Sequence, residues 1–317
     1  MSNDIKIQCP LCGSGDVVFF KKHTTVDQKL HHCNACGLYF AYPHESYIPG
    51  NAEEKVSEPE ISQFWGSKEA HTAYNKWRGE ENDRIIAIIN SSGPIGKVLE
   101  IGFGDGPLTE KLIPLSREYW GIEPDRSFFQ RTLKRLNIQP DRVFCLKAEE
   151  IAGSEWYQKH INTFDTIIMI SVFEHLSNPN NILQACHALL KPGGKIFLST
   201  PDSTYFRLYY IIRRVLRMEP WTYFHISFFK SGNLKLLFEN RELSVIRKFS
   251  APLVTPSSIE YFGKLTNSRL VKTAMKITYW LRLDRLLRIR TYNFLLQKKD
   301  KVHVHTDTVK NDKTQGV

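Results

Sequence analysis

The chain has 317 residues, 42% hydrophobic, 24% charged and 12% aromatic, with a formal net charge of +10. That length suits one medium α/β domain with a small appendage, or two ordinary domains, and the composition excludes a disordered or fibrous chain. The positive balance suggests an acidic partner, whether nucleic acid, an anionic membrane surface or a phosphorylated substrate, without choosing among them. The first residues, Met-Ser-Asn-Asp-Ile-Lys, contain no apolar run of the secretory kind. No stretch reaches the roughly 18 uninterrupted apolar residues of a spanning helix. A cytoplasmic location is expected, with peripheral contact at the inner membrane face as an extension of it.

Residues 1–42 hold Cys9-Pro10-Leu11-Cys12-Gly13 and Cys33-Asn34-Ala35-Cys36-Gly37. In a reducing compartment two such knuckles point to metal rather than to disulfides, and four thiolates complete a tetrahedral site with no open position. A small zinc ribbon with structural Zn2+ on Cys9, Cys12, Cys33 and Cys36 is therefore expected, ahead of any redox or catalytic use of these thiols. His31 and His32 are spare ligands that four cysteines leave unnecessary, and Cys145 and Cys186 read as small core residues.

Residues 43–80 read as a linker and a lid helix. Pro43 to Glu60 is polar and broken by Pro49, Gly50 and Pro59, whereas Ser62 to Arg78 carries Phe64, Trp65, Tyr74 and Trp77 on a predicted helix. A second helix is predicted from Glu81 to Asn90. From Lys97 short apolar runs alternate with helical periodicity, the pattern of an α/β domain with a largely parallel sheet. Strands are predicted at 97–101, 118–122, 142–146, 164–170 and 194–199, with helices near 107–115, 126–136, 148–158 and 179–190. Further along come a basic amphipathic helix over Tyr205 to Arg217, a helix over Leu234 to Asn240 and a sixth strand over Leu243 to Lys248. A second basic helical stretch between Pro256 and Arg290 and a seventh strand over Tyr292 to Gln297 follow. The α/β domain is thus placed at 81–299, with helical inserts near 203–222 and 256–290 and a disordered tail at 300–317.

The most informative segment is Val98-Leu99-Glu100-Ile101-Gly102-Phe103-Gly104-Asp105-Gly106-Pro107. An apolar strand runs into three glycines at alternate positions, and Pro107 stands where a helix start tolerates a residue lacking an N–H. Glycines let a ligand approach the backbone, and helix N-terminal amides favour a carboxylate. A dinucleotide fingerprint would need its third glycine one position later, at Pro107. The second strand ends in Glu123-Pro124-Asp125, where an acidic side chain suits a ribose diol. An adenosine with an amino-acid tail fits both features.

From about Arg84 to Lys248 the chain resembles the class I S-adenosylmethionine-dependent methyltransferases, in the group whose fourth strand ends in an apolar-Glu-His unit. The resemblance rests on Phe164-Asp165-Thr166-Ile167-Ile168-Met169-Ile170-Ser171-Val172-Phe173-Glu174-His175-Leu176, on Leu189-Leu190-Lys191-Pro192-Gly193-Gly194-Lys195 and on Ser199-Thr200-Pro201-Asp202. It implies a Rossmann-like sheet of about seven strands with helices on both faces. It further implies that Glu100, Gly102, Phe103, Gly104 and Gly106 line the methionine part of S-adenosylmethionine, that Glu123 with Pro124 holds the ribose, that Ala148 and Glu149 edge the adenine and that Ser171 lies near the sulfonium. Lys147 stands where the family often has Asp.

Methyl transfer to a hydroxyl needs alignment and removal of one proton. His175 and His225 are the candidate bases, and each equally suits a structural role, as does Glu174. His225 lies in Phe224-His225-Ile226-Ser227-Phe228-Phe229, similar to a His-x-x-x-Phe unit of the family. The loop after the fourth strand lacks the prolines typical of base-nitrogen methylation. O-methylation of a sugar or another small metabolite, lipid-linked acceptors included, is the leading expectation, with the helical inserts as a cap. The basic stretches, with Arg207, Arg213, Arg214 and Arg217 in one and Lys264, Arg269, Lys272, Lys276, Arg282, Arg285, Arg288 and Arg290 in the other, suit either an anionic membrane face or a plain solvated surface. An RNA methyltransferase and a non-catalytic cofactor-binding scaffold are the alternatives.

Overall fold

The computed structural model describes residues 7–22, 28–44, 68–204, 211, 225–252, 254–265, 269–283 and 290–299. The expected linker beyond residue 44, Phe64, Trp65, the basic helix over Tyr205 to Arg217, Arg285, Arg288 and the tail lie outside these residues.

The two cysteine knuckles fold alike. Gly13 and Gly37 take φ of 73° and 75°, a conformation that favours glycine, and each turns its N–H back to the carbonyl of the first cysteine of its knuckle at 2.9 and 2.8 Å. Strands β1 (Val17–Lys22), β2 (Lys29–Cys33) and β3 (Tyr39–Tyr42) form an antiparallel meander around them.

Seven strands make the main sheet: β4 (Lys97–Ile101), β5 (Glu118–Ile122), β6 (Val143–Phe144), β7 (Phe164–Ile170), β8 (Leu190–Pro201), β10 (Leu243–Pro252) and β11 (Arg290–Lys298). Their spatial order is β10-β11-β8-β7-β4-β5-β6, parallel from β8 to β6, with β11 running against both β8 and β10. Alternation along the strands separates two cores, as a period of two dictates. Val98, Ile168, Phe197 and Leu295 face Ile85 and Ile89 of the helix Lys68–Ser91. Leu99, Ile101, Ile167, Met169, Ile196 and Leu198 face the helices Pro179–Leu189 and Ser231–Glu239.

Several elements differ from their predicted form. The helices expected on either side of Gly79 are one continuous helix, because a single glycine costs only about 1 kcal/mol when both flanks are anchored. The segment expected to be helical over 148–158 breaks into Ala148–Glu150 and Glu155–Lys159, parted by Gly153 at φ 99°. The third strand shrinks to two residues, and Cys145 just beyond it is exposed rather than core, while Cys186 is buried as expected. The fifth lengthens to start at Leu190 by absorbing Pro192-Gly193-Gly194. The 256–290 stretch contains two helices, Pro256–Leu265 and Arg269–Trp280.

The N-terminal unit is not a bead on a tether. Strand β9 (Ser227–Phe228), which belongs to the main domain, pairs antiparallel with Tyr39 and Phe40 of β3 and makes a fourth strand in that sheet. Cys9, Leu11, Leu38 and Phe40 join Phe173, Phe229 and Leu237 in one apolar cluster. Because Phe40 is fully buried in that shared cluster, Phe40→Ala should lower stability by about 3–5 kcal/mol. A calorimetric scan should still show one cooperative transition, since two separate melts would mean the two parts do not share a core.

Candidate functional site

The three loops that leave the C-terminal ends of β4, β5 and β7 meet at the point where sheet order reverses, the usual ligand crevice of an open α/β sheet. The first is the glycine turn. Gly102, Gly104 and Gly106 all have positive φ, and a Cβ on Gly102 would run into Val172 while one on Gly106 would strike Thr132. A Cβ on Gly104 would meet open space, so here the backbone is bare toward the crevice. Phe103 between them is a core residue against Phe129, and only its backbone is placed for a ligand.

Two buried glutamates flank this turn. Glu100 Oε2 accepts from Thr109 Oγ1 and from the Tyr119 hydroxyl, both at 2.8 Å. Glu123 Oε2 accepts from the Gly104 N–H and Oε1 from the Asp125 N–H, again at 2.8 Å, and Pro124 holds the half-buried bend between them. A carboxylate oxygen has two acceptor sites, so one on each Glu123 oxygen remains for a diol. Glu149 accepts with Oε1 from the N–H and the hydroxyl of Ser177, both at 2.7 Å, which draws it toward the loop after β7. Ser171 closes the opposite side at φ 54°, exposed, its N–H held by the Ser199 carbonyl at 3.0 Å. A non-glycine residue kept in that region costs roughly 1–3 kcal/mol, and such strain gathers at functional sites.

Next to this crevice the structure brings together Glu174, His175 and His225, with one ligand atom from each within 4.8 Å of the others. The imidazoles meet edge to face with centroids 4.8 Å apart. Glu174 is 1% exposed; its Oε2 accepts from Thr200 Oγ1 at 3.0 Å, while Oε1 has no hydrogen-bond partner among the described residues and faces His225 Nε2 at 3.9 Å. Arg78 of the long helix adds a positive charge that acts on Glu174 and is paired with Glu81. Arg78 carried no signal in the sequence, because Glu174 lies far along the chain, beyond four strands of the main sheet, and the helix around Arg78 reads as ordinary lid. The helix Pro256–Leu265 packs on the same long helix: Trp77 stacks on Tyr261 at 5.9 Å, Tyr74 meets the same ring at 5.2 Å, and Ser257 donates to Glu80 at 2.7 Å.

The four cysteines also converge. The Sγ atoms of Cys9 and Cys36, and of Cys12 and Cys33, are 3.6 Å apart, and all four lie within 4.8 Å of one another. Zn–S bonds of about 2.3 Å put tetrahedral sulfurs about 3.8 Å apart, so this set fits the ion. Neither His31 nor His32 belongs to the cluster.

Burial pushes Glu100, Glu123 and Glu174 each up to about 7. A carboxyl that binds its proton more tightly when folded contributes stability below its ordinary pKa and loses it as pH rises through the folded value. Stability should therefore fall between about pH 5 and pH 8. Glu174→Gln, which mimics the protonated form, should match the parent near the acidic end and exceed it near pH 8 by on the order of 3 kcal/mol. Thermal melts of both proteins across that range check this, and parallel curves would rule out Glu174 as the titrating group.

The comparisons agree with this geometry. A family model described as "Methyltransferase domain" matches residues 70–248, more than half of the chain. The ubiquinone biosynthesis O-methyltransferase of Acinetobacter baumannii (strain ACICU) is 31% identical over 104 residues, 33% of this chain and 43% of that protein. The protein of the same name from Pseudomonas aeruginosa (strain LESB58) is 31% identical over 118 residues, 37% of this chain and 50% of its own. The matched stretch thus spans half or less of these relatives. The crystal structure of N-methyltransferase NodS from Bradyrhizobium japonicum WM9 in complex with S-adenosyl-L-homocysteine superimposes with a TM-score of 0.49 and 13% identity over 76% of this chain and 98% of that one. With the sheet order, the glycine turn and the Glu-His loop in place, the chain belongs to the class I S-adenosylmethionine-dependent methyltransferases.

Proposed function

We propose that this methyltransferase acts on a hydroxyl of a small-molecule acceptor, a sugar or another small metabolite, with His225 and His175 as the proton-accepting pair. The observation that carries this reading is Glu174 Oε1, buried, without a hydrogen bond among the described residues, and facing His225 Nε2 at 3.9 Å. A hydroxyl nucleophile sheds a proton as it attacks, and an imidazole backed by a carboxylate is a suitable acceptor for it. Glu174 then compensates the imidazolium charge, while Thr200 donates to its other oxygen and the Arg78 charge favours its ionised form. The partial likeness to O-methyltransferases supports oxygen as the acceptor atom.

The methyl comes from S-adenosylmethionine as an electrophilic sulfonium. Glu123 would hold the ribose diol, Gly104 and its neighbours would receive the amino-acid tail through bare backbone, Glu149 and Ala148 would edge the adenine, and Ser171 would face the methionine end. The work of the protein is mainly alignment of acceptor and donor and exclusion of water, which the Trp77–Tyr261 cap provides.

The roles separate experimentally. Glu123→Ala should weaken S-adenosylmethionine binding by about tenfold to a hundredfold, the loss of hydrogen bonds to a charged group, as read by calorimetry. His225→Asn should leave that binding intact and lower kcat by about 10²–10⁴-fold. If an acceptor screen over sugars, phenols and amines found only amine methylation insensitive to His225→Asn, the O-methyltransferase reading would fall.

We further propose that Cys9, Cys12, Cys33 and Cys36 hold one structural Zn2+. Metal analysis should find one zinc per chain. Chelation should unfold the β1–β3 unit and, through β9, disturb the environment of His225, seen as shifted histidine resonances. Retention of the β1–β3 fold after complete zinc removal would contradict a structural role.

A further inference from the structure

In an ordinary surface helix the apolar stripe faces the core and the charges face water. The helix Arg269–Trp280 departs from this by leaving large apolar side chains in water beside its charges. It packs on the cap helix Pro256–Leu265, while Ile277, Trp280 and Leu281, spaced by three and four along one stripe, are 47%, 80% and 52% exposed. Tyr279 beside them is 45% exposed. Lys272, Lys276 and Tyr279 follow one flank of this stripe, and Arg269 and Arg282 mark its two ends. From Lys264 to Arg282 the sequence has five basic residues and no acidic one.

We propose that this helix is a docking surface for the anionic face of a lipid bilayer. Such a helix lies in the interface, with aliphatic and Trp side chains sunk to the headgroup boundary and Lys and Arg reaching the phosphates. Tyr and Trp suit that depth because one end of each is apolar and the other polar. A second copy of this helix is a poor occupant, since pairing would press two all-cationic flanks together. No described helix is long and apolar enough to cross the membrane, so the contact is peripheral. The surface stands on the cap: it rests on Pro256–Leu265, whose Tyr261 stacks on Trp77, the neighbour of Arg78. The docking surface thus connects through one helix to the element that carries Arg78, and this inference holds whichever atom is methylated.

Flotation of the full chain with vesicles of phosphatidylcholine, alone or with phosphatidylglycerol, at low and high salt tests it. The parent should float with the anionic vesicles at least tenfold better than with neutral ones and lose that preference at high salt. Lys276→Glu should weaken partitioning by about tenfold. Trp280→Glu should weaken it at least as much, and neither exposed substitution should change the thermal melt or S-adenosylmethionine binding. No flotation, equal flotation with both lipids, or unchanged flotation of both variants overturns the proposal. So does concentration-dependent dimerisation that Trp280→Glu abolishes in the absence of vesicle binding.

Discussion

Ile226 uses both of its backbone polar groups to join segments that are remote in sequence. Its N–H donates to the Glu174 carbonyl at 3.0 Å and its carbonyl accepts from the Ala41 N–H at 2.8 Å. Buried backbone groups must be paired, so this fully buried residue fixes the segment after it against the Glu-His loop on one side and the N-terminal sheet on the other. His225 precedes it and Ser227 follows it. The position of the first depends on this clamp, and the second accepts or donates at His44 Nε2, 2.9 Å away.

His44 extends the same splice. Its Nδ1 meets the Ser177 carbonyl, and the Ser177 N–H and hydroxyl engage Glu149. Burial holds His44 down to about 4, so at neutral pH the ring is uncharged and one nitrogen donates while the other accepts. The N-terminal unit thereby reaches both the Glu-His loop, through Ile226, and Glu149, through Ser177. The sheet that carries the four cysteines thus bears on the geometry of both.

What was legible in the sequence was local. The glycine turn, Glu123 and the long apolar strand each declare themselves within a dozen residues, because strand burial and turn conformation act on neighbouring positions. The cysteine knuckles are legible for the same reason. Strand β9 was not, since two residues carry no periodicity and their pairing partner is about 190 positions away. The continuity of Lys68–Ser91 was hidden by Gly79, whose local cost is outweighed by packing on both sides of it. Cys145 was misplaced because a two-residue edge strand leaves its next residue in water. The orientation of Arg269–Trp280 was equally beyond the sequence, which shows that a helix has two faces but not which one the protein covers.

The long helix has a mechanical meaning. At 24 residues it is a rod of about 36 Å, clamped at one end where Ile85 and Ile89 enter the core and loaded at the other where Tyr74 and Trp77 pack on Tyr261. Any displacement of Trp77 that leaves Ile85 in place must bend the rod, and Gly79 is the residue between them with no side chain to resist that flexure. The packed end and the foundation are one continuous beam, so movement of Tyr261 against Trp77 is resisted by the stiffness of a helix rather than by the looseness of a loop.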